Sequence, residues 1–431
     1  MAKGSRVYTF FYSGVSTFSN LIASLVVFII LARFLDKSIF GDYVFYNSLA
    51  AVFCVLIDFG INQKLLREGR LDLSSLNALF LNNLLLKTYI FLAVFVLYFI
   101  ILICILKYDL YSILIFLTVS SFSFFQLSTV VFRVIEDYRL EAIVTFTSSL
   151  IFILVCLVTS YITSNIIIIC LTLLLARFCT FLTTLFIINK KIKFRFKNNS
   201  ILFKKLIVES LPYLSDRIVS VLYSNVDTLI IKYFIGSVGV ATYNSGLKLA
   251  SGSLGVSTIL SNIYIPKISV ITYKRTYIEA KDRKVFRDLW SLLAVLGLLI
   301  VFLFTFFNKI ISDILFSNKF PELLFLLPLF GLFVSTRLLA SYYGIILTAI
   351  GKQNERAKAN IFSFITMVIS GALFTYYFGL KGTLFSLVLT TILLIILYII
   401  ILKQIQFKHL YHKGVIAILV LTAFIVWTRL S

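Results

Sequence analysis

The chain has 431 residues, 60% of them hydrophobic and only 13% charged. Continuous apolar runs of about 20 residues between short charged loops define a polytopic helical membrane protein. They exclude a β-barrel, whose strands alternate over about ten residues. The formal charge of +22 is concentrated in short inter-helix loops, as the positive-inside rule requires, and this distribution argues against nucleic acid as a partner.

In chain order, the first expected span covers about 7–32. Lys3 and Arg6 precede it and no small-residue cleavage site follows, so it reads as a retained helix rather than a signal peptide. Ser13, Thr17, Asn20 and Ser24 recur on it at helical spacing. Spans at about 40–62, 77–106, 109–132, 142–163 and 165–188 complete a six-helix N-terminal lobe, residues 1–188. The second of the six carries Asn47, Cys54, Asp58 and Asn62. Lys87 lies near an end of its span, where it is expected to snorkel to the interface. Arg177 sits near the middle of the sixth, with Thr180 and Thr184 on the same face.

The basic run Lys190–Lys197, continued by Lys204 and Lys205, reads as a cytoplasmic linker, residues 189–207, within reach of anionic headgroups. A second six-helix lobe follows, residues 208–402. Its first two spans form a hairpin: about 208–234, a turn at Ile235–Gly239, and about 240–266. One face of the first helix carries Asp216, Ser220, Tyr223 and Asp227, with Arg217 beside it. One face of the second carries Asn244, Lys248, Ser251, Gly255, Thr258 and Asn262. Asp227 and Lys248 are expected at matching depth, as an ion pair that either lines a wet cavity or locks the two helices. Further spans are expected at about 289–308, 322–350, 357–380 and 382–402, with Arg337, Ser341, Gly344 and Thr348 forming a stripe on the second of these. The tail, 403–431, is a basic loop with His409 and His412, read as solvated, and a segment at 414–428 that is short for a crossing.

The two halves are related at an offset of 200 residues. Ser24 meets Ser224, Phe34 meets Phe234, Tyr43 meets Tyr243 and Asn62 meets Asn262 without a gap. An even number of spans per half makes this a parallel repeat about a pseudo-two-fold along the membrane normal. Most Lys and Arg fall on the side of the N-terminus and of every second loop, which makes that side cytoplasmic. The opposite side holds only Arg33, Lys37, Lys107, Lys232, Lys309, Lys319, Lys381 and Arg429, and its longest loop is Asn308–Pro321.

Arg177, Arg217, Lys248 and Arg337 fall inside spans, where each costs roughly 2.5–3.5 kcal/mol if it faces lipid. They are therefore expected to face the bundle interior or water. Asp216 and Asp227 oppose them only in part, so the interior should attract an anion. A phosphate or diphosphate headgroup suits the guanidinium fork. Asn20, Ser24, Asp58, Ser220, Tyr223, Asn244, Ser251 and Ser341 are candidate polar lining. The two aspartates are candidate H+ or Na+ coupling sites. The alternative is that the charges cancel locally and only staple helices. No phosphate-binding loop, dinucleotide fingerprint or His-based triad occurs, so neither an enzyme nor a cofactor is expected. The cysteines show no metal-ligand spacing and no disulfide is expected.

The segment Leu31–Tyr43 resembles the first outside turn of Wzx-type flippases, members of the multidrug/oligosaccharidyl-lipid/polysaccharide exporter superfamily. Asp58–Asn62 followed by Arg67-Glu68 looks like the end of their second span. Asp227–Tyr243 and Pro266–Ser269 are similar to their seventh-to-eighth hairpin and its exit; Thr348–Gln353 and Phe378–Gly382 resemble later loops. The resemblance implies two six-helix lobes working by alternating access in a bacterial plasma membrane. It implies a polyprenyl-diphosphate-linked oligosaccharide, a repeat unit of O-antigen, capsule or other surface polysaccharide, as cargo. Membrane lipid and polysaccharide polymerase or assembly proteins are the implied partners. A drug/cation antiporter of the same superfamily, a polysaccharide polymerase or ligase, and an exporter of the peptidoglycan precursor are the competing readings. The antiporter predicts an acidic interior, the polymerase larger outside loops, and the precursor exporter fourteen spans.

Overall fold

A computed structural model describes residues 3–71, 76–106, 109–192, 214, 218, 221–272, 282–404 and 421–422. Among these residues every regular element is helical. Asp216, Arg217, Ser220, most of the linker, both histidines and most of the 414–428 segment lie outside them. The chain forms two compact units, Met1–Asn225 and Val226–Ser431.

The first unit contains α1 (Lys3–Phe34), α2 (Lys37–Asp58), α3 (Ile61–Leu71), α4 (Leu76–Ile101, ending in a π turn at Leu102–Leu106), α5 (Leu110–Val134), α6 (Tyr138–Ile162) and α7 (Ile166–Ile192). The helix α5 is its centre, packed by α7, α2 and α3, while α1 lies along α6. At one end Ile61 and Leu65 of α3 join Phe80, Phe125, Phe132 and Ile188 in a buried cluster. The expected second span runs unbroken to 62. The structure instead ends α2 at Asp58 and turns through Phe59 and Gly60, with φ of 42° and 70°. The charged residues that follow, expected as a loop, form the short helix α3, whose apolar face Ile61 and Leu65 bury.

Charges gather where α5 meets α6. Glu141, fully buried, accepts from Arg133 at 2.8 Å and from Ser16 at 3.0 Å. Asp137 caps α6, taking Leu140 N at 3.1 Å and Lys191 Nζ at 2.8 Å. Burial pushes the Asp137 carboxyl up, but the Lys191 hydrogen bond and charge, with the cap, outweigh it and hold the group below the usual carboxylate range. A carboxyl depressed in the folded state contributes stability that is present above the unfolded value, about pH 4, and lost as pH falls through the folded value. Asp137→Asn should therefore lower stability at pH 6 and lose less between pH 6 and 3 than wild type does, as read by thermal unfolding in detergent.

The helix α8 (221–234) crosses the boundary between the units, and the second unit continues with α9 (Ser237–Thr272), α10 (Arg283–Phe306), α11 (Asn308–Phe316), α12 (Leu323–Ala349) and α13 (Gln353–Gln404). Its centre is α12, packed by α10, α9 and α13. It is buried almost all round, and Pro328 is accommodated inside it. Helix α9 approaches α12 so closely at Gly246 that a Cβ there would sit 2.1 Å from the Phe330 ring. The expected second helix of the hairpin stops at Pro266. The structure carries α9 through Pro266 to Thr272, at the loss of one intrahelical bond. The expected loop at 308–321 folds in part as α11.

Helix α13 has 52 residues, about 78 Å at 1.5 Å per residue, which is more than two crossings of a ~30 Å hydrocarbon layer. It breaks at Gly379, whose φ of 60° and ψ of −143° only glycine adopts readily. The arms fold back on each other: Ser370 meets Ser386 at 2.6 Å and Thr375 meets Thr383 at 2.8 Å. Each arm is long enough for one crossing. Among the described residues ten helices, α13 counted once, are long and apolar enough to span a membrane. Lipid supplies no hydrophobic driving force between helices, so small-residue contacts and hydroxyl bonds of this kind set their packing.

Candidate functional site

The α8–α9 hairpin closes through Ile235 and Gly236, whose amides both donate to Ile231 O, at 2.8 and 3.1 Å. Asp227, 3% exposed, accepts from the Tyr243 hydroxyl and from Thr228 N at 2.8 Å. Thr228 donates in turn to Asn244 at 3.2 Å. The expected Asp227–Lys248 pair is thus corrected: Tyr243, not Lys248, meets the carboxylate. The physical reason is the turn, because α9 starts at Ser237 rather than 240 and brings an earlier residue level with Asp227. Lys248 and Tyr223 are half-buried, and Ser251 is exposed and donates to Lys248 O at 2.9 Å.

A cavity of about 210 Å³ opens among α9, α12 and α13. Arg337, Ser341 and Gly344 of the α12 stripe line it, opposite Ser257, Thr258 and Ser261 of α9. Arg356, Asn360 and Tyr398 of α13 complete the polar wall. Tyr398 donates to Asn360 Oδ1 at 2.7 Å. Among the described residues that line it there is no carboxylate. Sequence reasoning missed both Arg356 and Asn360: Arg356 was counted with the loop before the span expected at 357–380, and Asn360, inside that span, was not singled out. Their i, i+4 spacing at the start of a span is the signal that marks them.

In the first unit, Arg177 is 6% exposed. Its guanidinium lies 4.3 Å from the Phe122 ring centre and 3.7 Å from that of Phe152, with Ser148 Oγ at 3.4 Å. Aromatic faces thus hold this cation. Asn20 receives a hydrogen bond from Ser149 of α6 at 3.3 Å, and Ser24 is exposed. Asp58 is occupied by Lys87 at 2.8 Å and by Ser123. Lys87 is 0% exposed and also donates to Ser123 O at 2.9 Å. The expectation that Lys87 snorkels is therefore corrected: a buried carboxylate, unseen at 29 residues' distance in sequence, holds it inside.

Paired transmembrane helices, interior cations and hydroxyl-rich walls define a multi-pass membrane protein with a transporter fold. The same fold occurs in the inward-facing conformation of a multidrug resistance MATE family transporter of the MOP superfamily. That match has a TM-score of 0.72 and 13% identity, covering 90% of this chain and 96% of that one. It occurs in the lipid II flippase MurJ in an inward closed conformation, with a TM-score of 0.70, 14% identity and coverage of 97% and 98%. A MOP superfamily transporter from Pyrococcus furiosus, described as having a binding pocket of reverse polarity, matches at a TM-score of 0.61 and 12% identity, covering 93% and 96%. No curated protein matches the sequence. The family model described as "Polysaccharide biosynthesis protein" matches residues 8–272, and the chain belongs to that family.

Proposed function

We propose that this protein is a flippase of Wzx type, moving polyprenyl-diphosphate-linked oligosaccharide repeat units from the cytoplasmic to the outer leaflet by alternating access. The observation that carries the reading is the cavity around Arg337, basic and hydroxyl-lined with no carboxylate among the described residues that line it, in a chain of the polysaccharide biosynthesis family. A cation exporter needs the opposite polarity. Arg337 is the cargo contact; Lys248, Arg217 and Arg177 supply further positive potential. Asp227, held by Tyr243, is the candidate H+ or Na+ site, with Asp216 as a second. Ser220, Tyr223, Asn244, Ser251 and Ser341 supply polar lining for sugar hydroxyls. On this reading the protein sits in a bacterial plasma membrane with its N-terminus cytoplasmic and hands its cargo to polymerase and assembly proteins.

The MATE likeness favours a drug/cation antiporter as the second reading. Proteoliposomes separate the two. Purified protein should carry a fluorescent polyprenyl-diphosphate disaccharide across the bilayer faster than protein-free vesicles and should leave ethidium gradients unchanged. Ethidium exchange without lipid movement would establish the antiporter.

A further inference from the structure

Helix α13 contributes a second arginine to the cavity of Arg337. Arg356 enters from the first turn of α13 and its Nη1 donates to Thr348 Oγ1 of α12. Its Nε is buried and has no hydrogen-bond partner among the described residues. Gly344 stands beside it: a Cβ there would lie 3.6 Å from Arg356 Nε and 3.6 Å from the Tyr398 ring. A longer side chain at 344 would take the space the guanidinium faces. Arg337 lies two turns, about 10 Å, further along α12. One cavity of about 210 Å³ therefore has a guanidinium toward each end, and Ser257, Ser261, Asn360 and Tyr398 offer polar groups between them.

Two cations facing a walled space whose described lining holds no carboxylate attract an anion strongly, because the low surrounding dielectric screens them little. Each guanidinium presents a planar fork that fits phosphoryl oxygens. We infer that this cavity is a diphosphate-binding site in which Arg337 takes one phosphoryl group and Arg356 the other. The source of the diphosphate, the lipid-linked cargo, rests on the flippase reading; the site itself rests on the cavity. Anionic phospholipid headgroups share the phosphoryl chemistry and are the competing occupant.

The test uses the full chain in phosphatidylcholine nanodiscs, titrated with inorganic pyrophosphate and with farnesyl diphosphate. Both should bind, and Arg356→Gln should weaken both by about tenfold or more. Arg356→Lys should weaken them less, since charge survives and the fork does not. Gly344→Leu keeps both charges and fills the space, so it should weaken binding as far as Arg356→Gln does. Wild-type affinity in both Arg356→Gln and Gly344→Leu overturns the site. Displacement of farnesyl diphosphate by an equal concentration of phosphatidylglycerol overturns its assignment to cargo. Diphosphate binding by the wild-type chain without repeat-unit transport leaves the site standing and overturns the flippase reading, whereas loss of binding in Arg356→Gln with normal transport overturns the site as a cargo contact. Loss of transport with intact diphosphate binding in Arg356→Gln overturns the site as a cargo contact.

Discussion

Replacing Arg337 with alanine should abolish surface polysaccharide while the protein still reaches the membrane at its wild-type level. The residue lies in the middle of α12, a helix otherwise almost wholly apolar and buried. An arginine at such a depth costs roughly 2.5–3.5 kcal/mol on insertion scales, so alanine cannot hinder insertion. What alanine removes is one of the two arginines that line the cavity among the described residues. On the proposed reading Arg337 positions a diphosphate, and its loss is expected to reduce transport by about 30- to 150-fold, the scale of a lost charge-assisted pair of about 2–3 kcal/mol. Arg337→Lys should retain part of the activity. Immunoblots of membranes alongside surface-polysaccharide gels read both halves of the prediction. Full polysaccharide in Arg337→Ala would remove the basic cavity from the mechanism.

Asp58→Ala should be the most destabilising single change in the first unit. It leaves Lys87, 0% exposed, without its carboxylate, and an uncompensated buried charge costs about 3–5 kcal/mol. The hydroxyl of Ser123 loses its acceptor as well. Removing both charges at once, as Asp58→Leu with Lys87→Met, should recover most of the loss, because a buried ion pair adds little over well-packed apolar residues. Unfolding temperatures in detergent for the two single variants and the double variant test this directly. A double variant as unstable as the sum of the singles would mean that the two residues act separately.

The spans were legible because a run of apolar residues has one reading in a bilayer. The turn at Gly379 was legible too, since Phe378–Gly382 interrupts two such runs with glycine and lysine. What sequence does not supply is the rotation of each helix about its axis and the exact residue at which it starts. Three residues of error at the start of α9 were enough to pair Asp227 with Lys248 in place of Tyr243. Lys87 was misread for the same reason: its depth was visible, but the carboxylate on α2 that holds it was not. Arg356 was counted as loop charge because the start of α13 carries Asn354, Glu355 and Lys358 and looks wet. Arg337 and Ser341, by contrast, fall on one face of a long apolar helix, and spacing alone put them together.

The most direct test is the sidedness of lipid-linked repeat units in cells that lack this protein. The account predicts intact repeat units trapped on the cytoplasmic leaflet, no polysaccharide at the surface, and rescue of both by the wild-type chain but not by Arg337→Ala. Single repeat units reaching the outer leaflet without this protein would contradict it and assign the chain to a later step of assembly.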